Sequence, residues 1–585
     1  MNLASPPELL SLAKGIGLER LFSVSPRTMS FLYRDPEIKR LREMRKHSTP
    51  LSKPNPEKES VLYFLNRPWR EHVAFEGSTG RALRMRGHQV DVVCADQLPQ
   101  PVLSSKRPDD IGKESLPWTY DIGDRLNSLH TANYIRAVMS QYELPVTNLS
   151  AWVEGEERRR IKDLIQQYSG EWTEFEYRGY PVGKWCETSV AWQLTGETID
   201  ESLPHVEWLY QRAIYAASVT ATAFEHGIAV AEPDVLVVFN GIFAPERAAF
   251  EIARHHGVRV VTHEAGFHQG SHVLAHNGPA NYYQYDAEWE VRKDRPLSED
   301  ERQEIRTYLQ RRDGKSSDGG RVDYWPSVTE DHEEIRRTLN LDPSRSTLVL
   351  FPNIVWDSAV LRRDVAFSGL LDWVLYTIDL IGERSGIQLV IRSHPAEIHL
   401  GRATSERVEK RVNEALSSVP SNVRIVPPES DISSYRLMEM SDAVVVYTST
   451  TGLEAAVRGN PVVVAGETHY RGKGFTIDVE TKEEYRELLD SDLSQRNPTD
   501  EDLRRAEQYA HLFFLETTIS LPYFSDTDSR LGMEYHLDSF DELDSEKNRT
   551  LDRLCKSIVK GESFVYGNMC SGDKVLKETT EGVFG

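Results

Sequence analysis

Residues 447–466 read YTSTTGLEAAVRGNPVVVAG. An apolar run closes on four hydroxyl residues, Thr448, Ser449, Thr450 and Thr451, and on Gly452; helix-forming residues follow, and the chain returns at once to a second apolar run. Short apolar runs bounded by turn residues are the pattern of buried parallel strands, and a helix between two of them is a β-α-β unit. Upstream the unit repeats: TLVLFPN, a helix around SGLLDWVLYTIDLIGERSG, IQLVIRSHP, SERVEKRVNEALSS, NVRIVPP and DAVVVY. An earlier series holds VLYFL, VDVVC, DVLVVFNG and VRVVTH with helices between them.

Alternation of this kind predicts an α/β protein of two Rossmann-like doubly wound domains facing a cleft. The expected divisions are a polar lead-in (1–60), an N-terminal domain (61–285) with a helical insertion (about 98–200), a linker (286–345), a C-terminal domain (346–480), and helices with a polar C-terminal tail (481–585).

The chain has 585 residues, 39% hydrophobic and 27% charged, with a formal net charge of -22. That charge repels a phosphate backbone and predicts no nucleic-acid partner. Cys94, Cys186, Cys555 and Cys570 show no C-x-x-C spacing, which argues against a zinc site and a disulfide framework and for a reducing cytoplasm. No run reaches the length of a membrane span. The basic stretch RTMSFLYRDPEIKRLREMRKH is read either as a solvated surface helix or as a peripheral contact with anionic lipid at the inner face of the cytoplasmic membrane.

Two readings fit the hydroxyl loop. Thr451 and Glu454 have the spacing of a capping box. That leaves Thr448, Ser449, Thr450 and Gly452 unexplained, whereas an anion at the helix N-terminus uses all of them, Gly452 letting a ligand approach and Glu454 turning to a ribose. In IQLVIRSHP, Arg392 and His394 lie two apart at a strand's end, so both are expected to face an anion. Glu264, just past VRVVTH, is either a general base across the cleft or a brace for the next turn. Asn353 and Asp357 follow TLVLF, and the Gly-rich stretch HYRGKGFT, with Tyr470 and Lys473, follows VVVAG; both are candidate donor contacts. His263, His268 and His272 suggest a metal, but glycines interrupt them and no third convergent ligand is evident, so no metal site is assigned. The Asp490/Asp492 and Asp526/Asp528 pairs are read as solvated.

The set Glu264-Ala-Gly266-Phe267, Arg392-Ser-His394-Pro395, Ser449 through Ala455, and Gly466 through Tyr470 to Thr476 resembles the bacterial capsular polysaccharide biosynthesis proteins, including capsule Kdo transferases, and more distantly sialyltransferases. The resemblance covers about residues 234–476. It implies a GT-B glycosyltransferase using a nucleotide-sugar donor, often CMP-linked, with no obligatory metal or other cofactor. It also implies Glu264 as base and His394, Ser449 and Thr450 on the donor phosphate. The function expected is inverting transfer of a sugar, from a CMP-linked ulosonic acid or a UDP-sugar, to a growing capsule or surface polysaccharide or glycolipid. A nucleotide-sugar 2-epimerase of the same architecture and a non-catalytic glycan-binding protein are the competing readings.

Overall fold

The structure, a computed structural model, describes residues 35–99, 122–268, 270–315, 329–357, 360–399, 403–491, 496–526, 533–544 and 547–565. The start of the lead-in, Asp492, Asp528 and Cys570 lie outside them, as do parts of the insertion and linker.

The first sheet has seven strands: β1 (Ser60–Leu65), β2 (Gln89–Cys94), β3 (Val146–Asn148), β4 (Val235–Phe239), β5 (Arg259–Ala265), β6 (Ser271–His276) and a late-arriving one. The second has six: β7 (Ser346–Phe351), β8 (Ile387–Arg392), β9 (Val423–Val426), β10 (Ala443–Val446), β11 (Val462–Val464) and β12 (Ile477–Asp478). The late strand of the first sheet is β13 (Ile519–Ser520), which pairs antiparallel with β6. The spatial orders are β13-β6-β5-β4-β1-β2-β3 and β12-β11-β10-β7-β8-β9. β1 to β5 and all of the second sheet run parallel. In each half the earliest strand is central, the next two lie on one side, and the fourth and fifth cross to the other. Both halves are therefore Rossmann-like, with switch points between β1 and β4 and between β7 and β10.

Continuous apolar runs become strands here because helices cover both faces. Leu62, Phe64, Leu236 and Val238 pack into one core while Val61, Tyr63, Val235 and Val237 pack into another. Leu348, Leu350 and Val445 divide from Val349, Val444 and Val446 in the same way.

Two expectations need correction, those for the insertion and the tail. The insertion is not wholly outside the sheet, since β3 extends it beside β2. The linker region holds structured helix: among the helices used below, α1 (Pro36–Lys46), α2 (Arg70–Met85) and α3 (Glu299–Gln310), the last starts with a Ser298/Glu301 capping box and buries Ile305, Tyr308 and Leu309 against the second sheet's core. The polar tail is a core element. With α4 (Leu370–Gly382) and α5 (Thr451–Val457) belonging to the second half, α6 (Arg549–Lys560) returns to the first and buries Leu551, Leu554, Cys555, Ile558 and Val559 there. Those five recur at i, i+3, i+4, i+7 and i+8, one apolar stripe in an otherwise polar stretch.

α1 likewise turns Ile38, Leu41 and Met44 into the core, so the apolar residues of that part of the basic stretch are used inside the protein. Among the described residues, no helix is long and apolar enough to cross a membrane. Cys94, Cys186 and Cys555 are buried free thiols.

Candidate functional site

The carboxyl-terminal edge of the first sheet is built around the β1/β4 switch point. Asn240 turns the chain after β4 with φ 24 and Gly241 continues at φ 75. The Asn240 backbone N–H donates to the His263 carbonyl (3.0 Å), its Oδ1 accepts from the Ile242 N–H (3.2 Å), and its Nδ2 donates to Glu264 Oε2 (3.0 Å). Glu264 Oε1 accepts from the Ala265 N–H (2.9 Å) and lies 3.7 Å from His72 Nε2. The carboxylate is thus braced on both oxygens, yet its side chain stays 23% exposed. The bracing and the general-base readings of Glu264 are both compatible with this geometry. Beside it, Arg67 is fixed by Glu246 (2.6 Å) and lies under Trp69, which is 38% exposed. Neither Asn240 nor His72 was singled out in the sequence; an asparagine before a glycine at a strand's end was the available signal.

The second edge holds most of the donor-side candidates. Asn353, after β7, accepts the Thr448 N–H on its Oδ1 (3.2 Å), tying the hydroxyl loop across the β7/β10 switch point. Ser449 Oγ accepts from the Thr451 N–H (3.3 Å), and the Tyr470 hydroxyl donates to the Ser449 carbonyl (2.6 Å). Thr450 and Thr451 are only partly buried. His394 is positioned by the Ala396 N–H, which donates to its Nδ1 (3.1 Å). That bond puts the ring proton on Nε2, and burial, aided by Arg392, pulls the imidazole down to about 4. His394 is therefore a neutral donor at ordinary pH.

Several expectations fail here. Arg392 does not share an anion-facing surface with His394: its guanidinium is 2% exposed and donates to the carbonyls of Ser393 (3.1 Å), Pro427 (2.7 Å) and Ser430 (3.0 Å). Burial lowers it to about 10. The capping box is absent: Thr450 is the N-cap of α5 and makes no side-chain capping bond. Glu454 points to no ribose, because its carboxylate accepts from Arg312 Nη2 (2.9 Å), Arg312 Nε (3.1 Å) and the Tyr435 hydroxyl (2.8 Å). Gly452 is required by Tyr470 and not by a ligand, since a Cβ there would stand 2.3 Å from the Tyr470 hydroxyl. α5 has seven residues, too few for much of a dipole. The HYRGKGFT stretch is packed and not a free lid: Tyr470 is buried, His469 stacks on Phe513 at 3.9 Å, and Lys473 is ion-paired to Asp286.

The two edges meet. Trp192 contacts Phe243, beyond β4, at 5.5 Å and Trp356, beyond β7, at 5.1 Å. Tyr283 contacts Phe267, two residues beyond β5, at 5.7 Å and His469, beyond β11, at 5.5 Å. Arg363 lies 4.0 Å over the Tyr282 ring. An acidic depression beside β12, lined by Asp478, Glu484 and Glu487 among others, is at the far edge of the second sheet, and its charge suits no phosphate.

The histidines regroup as well. His268 turns away, with Nε2 against the Phe514 carbonyl (3.3 Å). His72, from α2, takes its place beside His263 and His272, so that one ring nitrogen from each of these three buried residues lies within 4.8 Å of the others.

Residues 327–506 match the family described as capsule polysaccharide biosynthesis protein. The match is confined to this segment. It spans β7 to β12 and with them every donor-side candidate above. No curated protein matches the chain. Among solved structures, the KpsC beta Kdo 2,4 transferase of Thermosulfurimonas dismutans aligns at 15% identity and TM-score 0.32 over 53% of this chain and 86% of that one. The UDP-GlcNAc 2-epimerase of Neisseria meningitidis bound to UDP-GlcNAc aligns at 11% identity and TM-score 0.24, over 77% and 98%. The glycosyltransferase SnogD of Streptomyces nogalater aligns at 15% and 0.21, over 79% and 96%. At such identities and TM-scores these likenesses carry no weight about chemistry.

Proposed function

We propose that the protein is an inverting GT-B glycosyltransferase of capsule or surface polysaccharide assembly, taking a nucleotide-sugar donor at the second sheet's edge and an acceptor hydroxyl at the first. The observation that supports this reading is that residues beyond the carboxyl-terminal ends of both sheets touch through Trp192 and Tyr283, and in the proposal Glu264 and the hydroxyl loop serve the space between them. The capsule family match over the second half supports it.

In this mechanism Glu264 takes the proton of the acceptor hydroxyl as that oxygen attacks the donor's anomeric carbon. Asn240 and the Ala265 N–H hold the carboxylate in place. Negative charge then gathers on the departing nucleotide phosphate. His394, donating through Nε2–H, and the hydroxyls of Thr450 and Thr451 stabilise that charge as it forms. Asn353, Ser449 and Tyr470 position the loop, Gly452 makes room for Tyr470, and Arg392 builds the floor beneath His394. The phosphate step as proposed requires no bridging metal ion. Trp69 offers an exposed ring on the acceptor side against which a sugar face can stack. CMP-linked ulosonic acids and UDP-sugars are the donors proposed, with a polysaccharide or glycolipid as acceptor at the inner face of the cytoplasmic membrane.

Calorimetry of the purified protein against CMP, UDP and GDP tests the donor half. Binding of one nucleotide, weakened by His394→Ala, is expected; binding of none sinks the reading. Incubation with UDP-N-acetylglucosamine alone separates epimerisation from transfer, because only an epimerase isomerises the sugar without acceptor.

A further inference from the structure

We propose that His72, His263 and His272 bind a divalent transition metal ion of the zinc class, between α2 and the β5–β6 hairpin. The three rings converge because of register. His263 faces Leu274 across the β5–β6 ladder and His272 faces Ala265, so residues 263, 265, 272 and 274 share one face of the sheet. α2 covers that face and presents His72, Phe75 and Glu76 at i, i+3 and i+4, one stripe of the helix.

The chemistry of the cluster suits a cation. His263 is fully buried, and its Nε2 meets Glu76 Oε1 at 3.1 Å. Its Nδ1 is left buried with no hydrogen-bond partner among the described residues. A carboxylate on the far nitrogen of an imidazole is the usual brace of a metal-bound histidine, because it fixes the ring and raises its basicity. Phe75 stacks on His272 at 4.2 Å and tilts against His263 at 4.7 Å, walling the cluster from water. The nitrogens lie within 4.8 Å of one another. Bonds of about 2.0–2.1 Å to a tetrahedral ion bring such atoms to roughly 3.4 Å, reached by small rotations of the rings. Glu264 lies 3.7 Å from His72 Nε2, outside the three-histidine group, and a water completes the coordination. Imidazole ligands favour zinc, nickel or copper over magnesium or calcium. The ion would staple the β5–β6 hairpin to α2 and fix His72 beside Glu264, whether or not Glu264 serves in sugar transfer.

The full chain, produced without a polyhistidine tag and stripped with a chelator, is titrated with Co²⁺ and then with Zn²⁺. The expected result is about one ion per chain with a Kd below roughly 1 µM, the visible bands of tetrahedral Co²⁺, and their loss when Zn²⁺ is added. Glu76→Gln should weaken binding about 10- to 100-fold, and His263→Gln should abolish the bands, while His268→Gln leaves them unchanged. X-ray absorption of the Zn²⁺-loaded wild type should show imidazole scattering from three histidines, a measurement that needs no variant to fold. Substoichiometric binding by the wild type, or a Co²⁺ spectrum that survives His263→Gln, overturns the proposal.

Discussion

Glu264 on β5 and Arg392 on β8 each end a parallel strand of a Rossmann-like sheet, and read from the sequence both point at ligand. In the structure they part. Glu264 is held by two donors yet keeps 23% of its side chain exposed. Arg392 is 2% exposed and gives its donors to three backbone carbonyls of its own half. The difference lies in what surrounds the strand end. β5 is followed by a tight hairpin into β6, and the small polar Asn240 fills the space beside it. β8 is followed by a loop that folds back over the Pro427–Ser430 turn, whose Pro427 and Ser430 carbonyls take the guanidinium's donors. A charge at a strand tip is available for chemistry only when the neighbouring loops have satisfied their own backbone.

The comparison can be broken most directly at Glu264. Glu264→Gln keeps the shape and the Asn240 contact but removes the base, so transfer should fall roughly 10²- to 10⁴-fold with nucleotide affinity unchanged. An active Glu264→Gln enzyme in a product assay would leave the residue a brace like any other. On the opposite edge, His394→Ala should slow turnover about 10- to 1000-fold, the range for losing one donor to a developing charge. Because the His394 ring is pulled down to about 4, the wild-type pH–rate profile should show no limb near 6.5 that this variant removes.

Arg392→Met is the converse case. It should cost about 2–3 kcal/mol of stability, since three carbonyls lose a charged donor, and it should leave the nucleotide Kd of the folded protein unchanged. A large Kd effect without a shift in urea midpoint would return Arg392 to the ligand site. Gly452→Ala should cost about 1–3 kcal/mol by overpacking against Tyr470. If the clash is with the Tyr470 hydroxyl, Tyr470→Phe should relieve part of that cost, and a double-mutant cycle on thermal unfolding reads the coupling.

These outcomes bear on what a sequence can disclose. Nine of the strands, β1, β2, β4, β5 and β7 to β11, are legible from their apolar runs, which burial on both faces leaves unbroken in β4, β10 and β11. β3 and β13 are not, having three and two residues and depending on a partner already in place. α6 was hidden because one apolar stripe in a highly charged stretch reads as polar on average. The site was legible as positions and not as roles. That Arg312 would neutralise Glu454, or that His72 would reach His263 from a helix far upstream, depends on pairings no local pattern encodes.

One more contrast comes from within the Arg392 loop. Glu397, three residues beyond His394, is fully buried and accepts only the Val408 N–H, at 3.4 Å, while its Oε2 is buried without a hydrogen-bond partner among the described residues. Burial raises its carboxyl to about 7, with Val408 and Arg407 opposing. An unfolded glutamate titrates near 4.3, so the folded state binds this proton more tightly than the unfolded chain does. The contribution to stability is complete below the unfolded value and is lost as pH climbs through about 7. Glu397→Gln imitates the protonated form, and its stability should therefore fall less than the wild type's between pH 4.5 and 7.5 in urea titrations. Parallel curves for the two proteins would mean that Glu397 ionises as an exposed carboxylate does, and that the β8 loop is as open to water as the edge around Glu264.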